Sequence, residues 1–179
     1  MQGDIKEILY SKETIQKKVK ELGTIISREY KDKPVMLICV LKGANVFMAD
    51  LMRNIDIPVE VDFIAASSYG HSTVSSGVVK FIKDVDSSVE DKHVLLVEDI
   101  VDTGLTLNYL LNNFRSRDAK SVEAITLLDK PERRTVDVDV KYKGFNIPDE
   151  FIVGYGIDYA EEYRNLPYIA TLNPNVYKD

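Results

Sequence analysis

Between residues 94 and 107 the chain reads VLLVEDIVDTGLTL. Three carboxylates, Glu98, Asp99 and Asp102, follow an apolar run and precede Thr103-Gly104-Leu105-Thr106. Where a strand gives way to a helix, outward backbone N–H groups make a seat for an anion. Thr103 and Thr106 add hydroxyl donors, and Gly104 lets the backbone come close. Carboxylates repel a bare phosphate, so the acids need a target of their own. They accept hydrogen bonds from sugar hydroxyls and hold Mg2+ directly or through water. A ligand with a phosphate at one end and a vicinal diol at the other satisfies both halves, and a ribose 5-phosphate is such a ligand. Glu98 and Asp99 then meet the 2′- and 3′-hydroxyls, while residues 102–106 hold the 5′-phosphate. Neither G-x-x-x-x-G-K-[ST] nor G-x-G-x-x-G after a strand is present, which excludes the two commonest phosphate loops.

The elements that must position these groups alternate. Residues 11–30 read as a helix capped by Ser11, with Ile15, Val19, Leu22 and Ile26 on one face. PVMLICVL (34–41) is a continuous apolar run of the kind found in buried parallel strands. ANVFMADLMRNI follows as a helix, 59–65 and 78–82 as strands, and 93–98 and 122–129 as strands flanking a helix at 105–115. This predicts an α/β fold with a mostly parallel twisted sheet flanked by helices. The last forty residues are rich in aromatics, Gly and Pro, and suit short strands and turns in a small lobe over the sheet edge. Residues 67–77, SSYGHSTVSSG, hold five serines and two glycines. That composition cannot support a packed strand pair and suggests a flexible cover.

The chain has 179 residues, 45% hydrophobic and 29% charged, enough for one core without covalent staples. A formal charge of −6 argues against nucleic acid or an anionic membrane as partner. The single cysteine, Cys39, lies in an apolar run and excludes an intrachain disulfide. No apolar run approaches ~18 residues and the N-terminus is not a signal peptide, so a cytoplasmic place is expected.

Four apolar residues, two acids, two apolar residues and D-T-G-x-T resemble the phosphoribosyl diphosphate signature of the type I phosphoribosyltransferases. LKGANVFMADL resembles the pyrophosphate loop of their hypoxanthine-guanine branch, and SSYG its mobile loop. LLDKPERR and FIVGYGIDYAEEYRNLPYI resemble its purine-binding segments. These blocks run from about residue 35 to 172 in the family's order. Ala44 departs from the pattern, where many relatives have a second glycine. The family often has a cis peptide at the bond matching Leu41–Lys42, which the sequence does not decide.

The resemblance implies one domain, with a core over roughly 11–140 and a hood made mainly of 141–179 with the N-terminal residues. It implies Mg2+-dependent transfer from phosphoribosyl diphosphate to hypoxanthine and guanine, giving IMP and GMP with pyrophosphate, in a homodimer or homotetramer. Glu98, Asp99, Asp102, Thr103, Gly104, Leu105 and Thr106 are then the ribose and phosphate residues. Asp102 is the acid/base at purine N7. Lys42, Gly43 and Arg164 hold pyrophosphate, and Glu98, Asp99 and Asp158 hold metal. Lys130, Phe151, Ile152 and Asp158 form the purine site, with Lys130 donating to the 6-oxo group. Ser68 and Tyr69 cover the site. Two other readings conflict with the residues. A receiver-type signalling domain lacks the D-T-G-x-T cradle and the 67–77 loop, and an RNA-binding regulator sits poorly with the negative charge.

Overall fold

The structure, a computed structural model, describes residues 2–68 and 79–177. Ile5–Tyr10 form β1, Lys12–Glu29 α1, Val35–Leu41 β2 and Asn45–Met52 α2. Val59–Ser68 form β3, Val79–Lys83 β4, His93–Val101 β5, Leu105–Arg115 α3 and Ser121–Asp129 β6. Tyr142–Asn146 (β7), Ile152–Val153 (β8), Ile169–Leu172 (β9) and the short Pro174–Tyr177 helix (α4) complete the described chain.

Six strands form the main sheet in the order β4-β3-β2-β5-β6-β7. All neighbours are parallel except β3 and β4. Successive side chains of a strand point to opposite faces, so the central strands feed two cores. Val35, Leu37 and Cys39 of β2 join Leu95 and Val97 of β5 against α1 and α2. Met36, Ile38 and Val40 join Val94 and Leu96 against Leu107, Leu110, Leu111 and Phe114 of α3. This double burial is why β2 and β5 read as unbroken apolar runs. At the start of α1, Ser11 accepts the Thr14 N–H at 3.3 Å, and Ile15, Val19, Leu22 and Ile26 are buried.

The second sheet, β1-β9-β8, is antiparallel and forms the hood. Here the structure adds what the sequence pattern did not reveal. IKEILY forms β1 by pairing with β9, and Asn173 N–H donates to Asp4 O at 2.8 Å. β7, within the 141–179 stretch, is the sixth strand of the main sheet. Phe145 of β7 stacks on Tyr10 with ring centroids 4.0 Å apart, joining the two sheets. Strands β3 and β4 flank the expected flexible loop as an antiparallel pair, while Tyr69 and the residues to 78 lie outside the described chain. Among the described residues no helix is long and apolar enough to cross a membrane.

Candidate active site

The site gathers at the C-terminal ends of the parallel strands, where open α/β sheets place their ligand crevice. The first finding there corrects the expected place of Asp99. β5 does not stop at residue 98 but runs to Val101, so Glu98 and Asp99 are strand residues. Adjacent strand residues face apart, and the two carboxylates separate accordingly. Glu98 lines a cavity of about 130 Å3 together with Asp102, Thr103, Gly104 and Thr106. Asp99 packs against the turn after β2, so tightly that a Cβ on Gly43 would collide with its carboxylate. Burial raises Glu98 well above the usual carboxylate range, with Asp99 adding to the effect. Burial also raises Asp99 to about 6, although the Ile100 and Asp99 backbone N–H groups and Arg164 oppose the rise.

The small cavity opens at the start of α3. The residue capping that helix is Gly104, with φ +84°, and no side chain caps it. Asp102, whose sequence position is compatible with an N-cap, is therefore not the cap. Its carboxylate instead pairs with Arg133, Nε to Oδ1 at 2.7 Å. Uncapped helix N–H groups leave donors for an anion. Leu105 does not line this cavity, and its N–H donates to Thr103 Oγ1 at 3.4 Å. Its side chain lines a separate groove with Asn108 and Tyr109, and Leu107 takes its place in the small cavity.

Across the crevice, the turn after β2 meets the hood. The Leu41–Lys42 peptide is cis. Gly156, with φ +99°, lies against Gly43 so closely that a Cβ on it would strike the Gly43 carbonyl oxygen. The hood segment from Asp158 to Arg164 brings one cation, Arg164, to this seam, where the turn after β2 supplies a second, Lys42. Arg164 Nη2 pairs with Asp158 Oδ1 at 2.9 Å, and Nη1 donates to Gly156 O at 2.9 Å. Arg164 Nε is buried with no hydrogen-bond partner among the described residues. Glu161, which the sequence did not single out, lies between the cations. It accepts from Lys42 Nζ at 3.1 Å and from Arg164 Nη2 at 3.3 Å.

A larger cavity of about 670 Å3 brings together Asp102, Lys130, Phe151, Ile152 and Asp158. Lys130 follows β6 and is buried. Its Nζ donates to Glu150 O at 2.7 Å and lies 3.9 Å from Asp149 Oδ1. Burial lowers its pKa, and Asp102 and Asp149 pull in the other direction. Sequence reasoning missed several other lining residues. Arg133 joins Asp102 to Asp149, reaching Asp149 Oδ1 at 3.2 Å. Lys6, from β1, fixes the Glu150 carboxylate at 2.8 Å. Tyr177 stacks on Phe151. LLDKPERR was the only signal for Arg133, and nothing local marks Lys6 or Tyr177, which reach the cavity through the hood.

Of the described residues of the expected site, Glu98, Asp102, Thr103, Gly104 and Thr106 line the small cavity, Asp102, Lys130, Phe151, Ile152 and Asp158 the large one, and Lys42, Gly43, Asp99 and Arg164 lie at the seam, while Leu105 faces elsewhere. Ser68 ends β3, and Tyr69 lies outside the described residues. Glu98, Asp99 and Asp158 do not close into one cage. Among the described residues no three His, Cys, Asp or Glu side chains form a ready-made metal site. Buried acids whose charge is opposed by burial nonetheless suit Mg2+, which is commonly held by one or two carboxylates together with substrate phosphates.

A mostly parallel sheet with an anion cradle after its middle strand, a cationic turn and a hood is the architecture of a phosphoribosyl-transferring enzyme. The profile of the phosphoribosyl transferase domain matches residues 6–160, and the chain belongs to that family. Within it, the chain falls in the hypoxanthine-guanine branch. It is 57% identical to the hypoxanthine-guanine phosphoribosyltransferase of Bacillus subtilis over 178 residues, covering 99% of each chain. It is 51% identical to that of Streptococcus thermophilus, covering 99% of this chain and 98% of the relative. A crystal structure of a hypoxanthine phosphoribosyltransferase from Staphylococcus aureus superposes with a TM-score of 0.98 at 50% identity, covering 100% of this chain and 97% of that one.

Proposed function

We propose that the chain moves the 5-phosphoribosyl group from phosphoribosyl diphosphate to hypoxanthine and guanine, forming IMP and GMP in purine salvage. One observation carries the reading: Asp102 and Ile100 line both the small cavity and the large one. A sugar phosphate seated at Thr103–Thr106 therefore places its C1 beside a base held by Lys130 and Phe151. The purine nitrogen bonds to C1 as the C1–O bond breaks, and pyrophosphate leaves with the electron pair.

Asp102 accepts or shares the N7 proton as the new bond forms. Lys130 donates to the 6-oxo oxygen, which disfavours adenine because its 6-amino group does not accept in that way. Phe151 stacks on the ring and the Ile152 backbone reads its far edge, with Asp158 beside them. Lys42, the Gly43 backbone and Arg164 receive the pyrophosphate. The free Arg164 Nε supports this role, since a buried unpartnered donor is costly unless a ligand completes it. Glu98, Asp99 and Asp158 are the residues to hold Mg2+, which supplies positive charge to the leaving group when bound. Ser68 and Tyr69 cover the site and exclude water.

The chain is read as one functional unit of core and hood, assembled as a homodimer or homotetramer. Val61 and Phe63 of β3 and Ile82 of the edge strand β4, all exposed, offer apolar surface for such contacts. Its phosphorylated substrate does not cross membranes unaided, which supports a cytoplasmic place. Radiolabelled hypoxanthine incubated with phosphoribosyl diphosphate and Mg2+ tests the activity. Formation of labelled IMP is expected, and its absence at saturating substrates rejects the reading.

A further inference from the structure

The purine has one aromatic partner in the reading above, Phe151. That ring is itself packed by two others. Tyr159 meets it edge-on, with centroids 5.1 Å apart at 87°, and Tyr177 stacks on it at 4.9 Å and 29°. Phe151 is nonetheless 38% exposed and lines the large cavity. Tyr177 covers one face of the ring, and Phe151, Tyr177, Lys130 and Asp102 line the same cavity. A lone phenylalanine on a short strand end has two free torsions and no preferred plane for a ligand. A ring stacked from behind has one.

We propose that Tyr177 is a positioning residue for the purine, fixing the plane on which Phe151 receives the base. The residue is far from Phe151 in sequence, and the hood sheet brings them together. β9 pairs with β8, Leu172 N–H donates to Phe151 O at 3.1 Å, and α4 follows directly. The ring that receives the base and the ring that backs it are therefore tied through one antiparallel pair. The inference rests on Phe151 being the purine-stacking residue.

Three variants of the full chain test both statements. Phe151→Ala should raise the KM for hypoxanthine with little change in the KM for phosphoribosyl diphosphate, and no change would overturn both the stacking role and this inference. Tyr177→Ala should raise the hypoxanthine KM by roughly three- to tenfold, the range of one aromatic pair, again leaving the other KM unmoved. Tyr177→Phe should restore the wild-type value, because the ring and not the hydroxyl makes the contact. If Phe151→Ala weakens purine use while Tyr177→Ala equals wild type, Tyr177 has no positioning role. A lower hypoxanthine KM in Tyr177→Ala would show that the ring occupies the purine's seat, which equally overturns the proposal. A loss in Tyr177→Ala that raises both KM values alike, or that tracks a lowered melting temperature, assigns the residue to hood stability alone.

Discussion

Two lysines face the same crevice in opposite states. The side chain of Lys130 is 10% exposed, hydrogen-bonded to a backbone carbonyl, and its pKa is lowered by burial. That of Lys42 is 67% exposed and paired with an equally exposed glutamate, Glu161. A desolvated cation aimed by a fixed carbonyl can tell one acceptor from another, because an unmatched buried donor is costly. A solvated one contributes a screened charge and little geometry. The difference suggests that the purine half of the site is built for selection. On the proposed function, the pyrophosphate half would depend more on backbone and on Arg164.

The largest expected effect tests the buried side of that contrast. Lys130→Ala removes a charge-assisted hydrogen bond, a loss of about 1.5–3 kcal/mol, so kcat/KM for hypoxanthine should fall at least roughly tenfold. Steady-state kinetics with hypoxanthine would show it, and unchanged values would place Lys130 outside the site.

Asp99 sharpens the same point with an acid. Its pKa in the folded chain is raised from 3.8 to about 6, so between those pH values the native state holds a proton that the unfolded chain has lost. Stability from this group therefore falls as pH rises through that window. Asp99→Asn should raise the melting temperature by a few degrees at pH 7, with the gain fading toward pH 4. The same variant should bind phosphoribosyl diphosphate more weakly, and wild-type binding should itself weaken as pH drops below about 6. Calorimetry across pH reads both, and a variant that is neither more stable nor weaker in binding would remove the buried-acid account.

The smallest effects belong to the exposed pair. Lys42→Ala should change pyrophosphate inhibition by less than about threefold, in keeping with an exposed ion pair. Glu161→Gln should tighten that inhibition by a similar factor, since its carboxylate lies between two cations the product would use. Both effects should shrink in high salt, and a tenfold, salt-insensitive change would place Lys42 with Lys130.

The fold was largely legible because its signals are local. β2, β5 and β6 are apolar runs, α1 has a cap and a face, and D-T-G-x-T marks the strand-to-helix turn. β1, β7 and the role of Tyr177 were not legible, because each depends on a distant partner: β9, β6 and Phe151. Within the site, residue types pointed to Glu98, Asp99 and Asp102, and the family resemblance to Lys130 and Phe151. They did not reveal that Glu98 and Asp99 face apart, since that depends on how far the β5 ladder continues. The Arg133–Asp102 and Glu161–Lys42 pairs join residues distant in sequence, and no single segment announces them.

Asp99, Gly43 and Gly156 meet with no room for a side chain on either glycine. For directed evolution this divides the crevice unequally. Libraries at 43 and 156 will be almost wholly dead, because any β-carbon displaces either an acid or a carbonyl. New base selectivity must instead be sought where side chains, not backbone, form the wall, around Lys130 and residues 149–152. On the proposed function, the diphosphate seat would be inherited as a fixed fitting, and the base seat would be the part that can be exchanged.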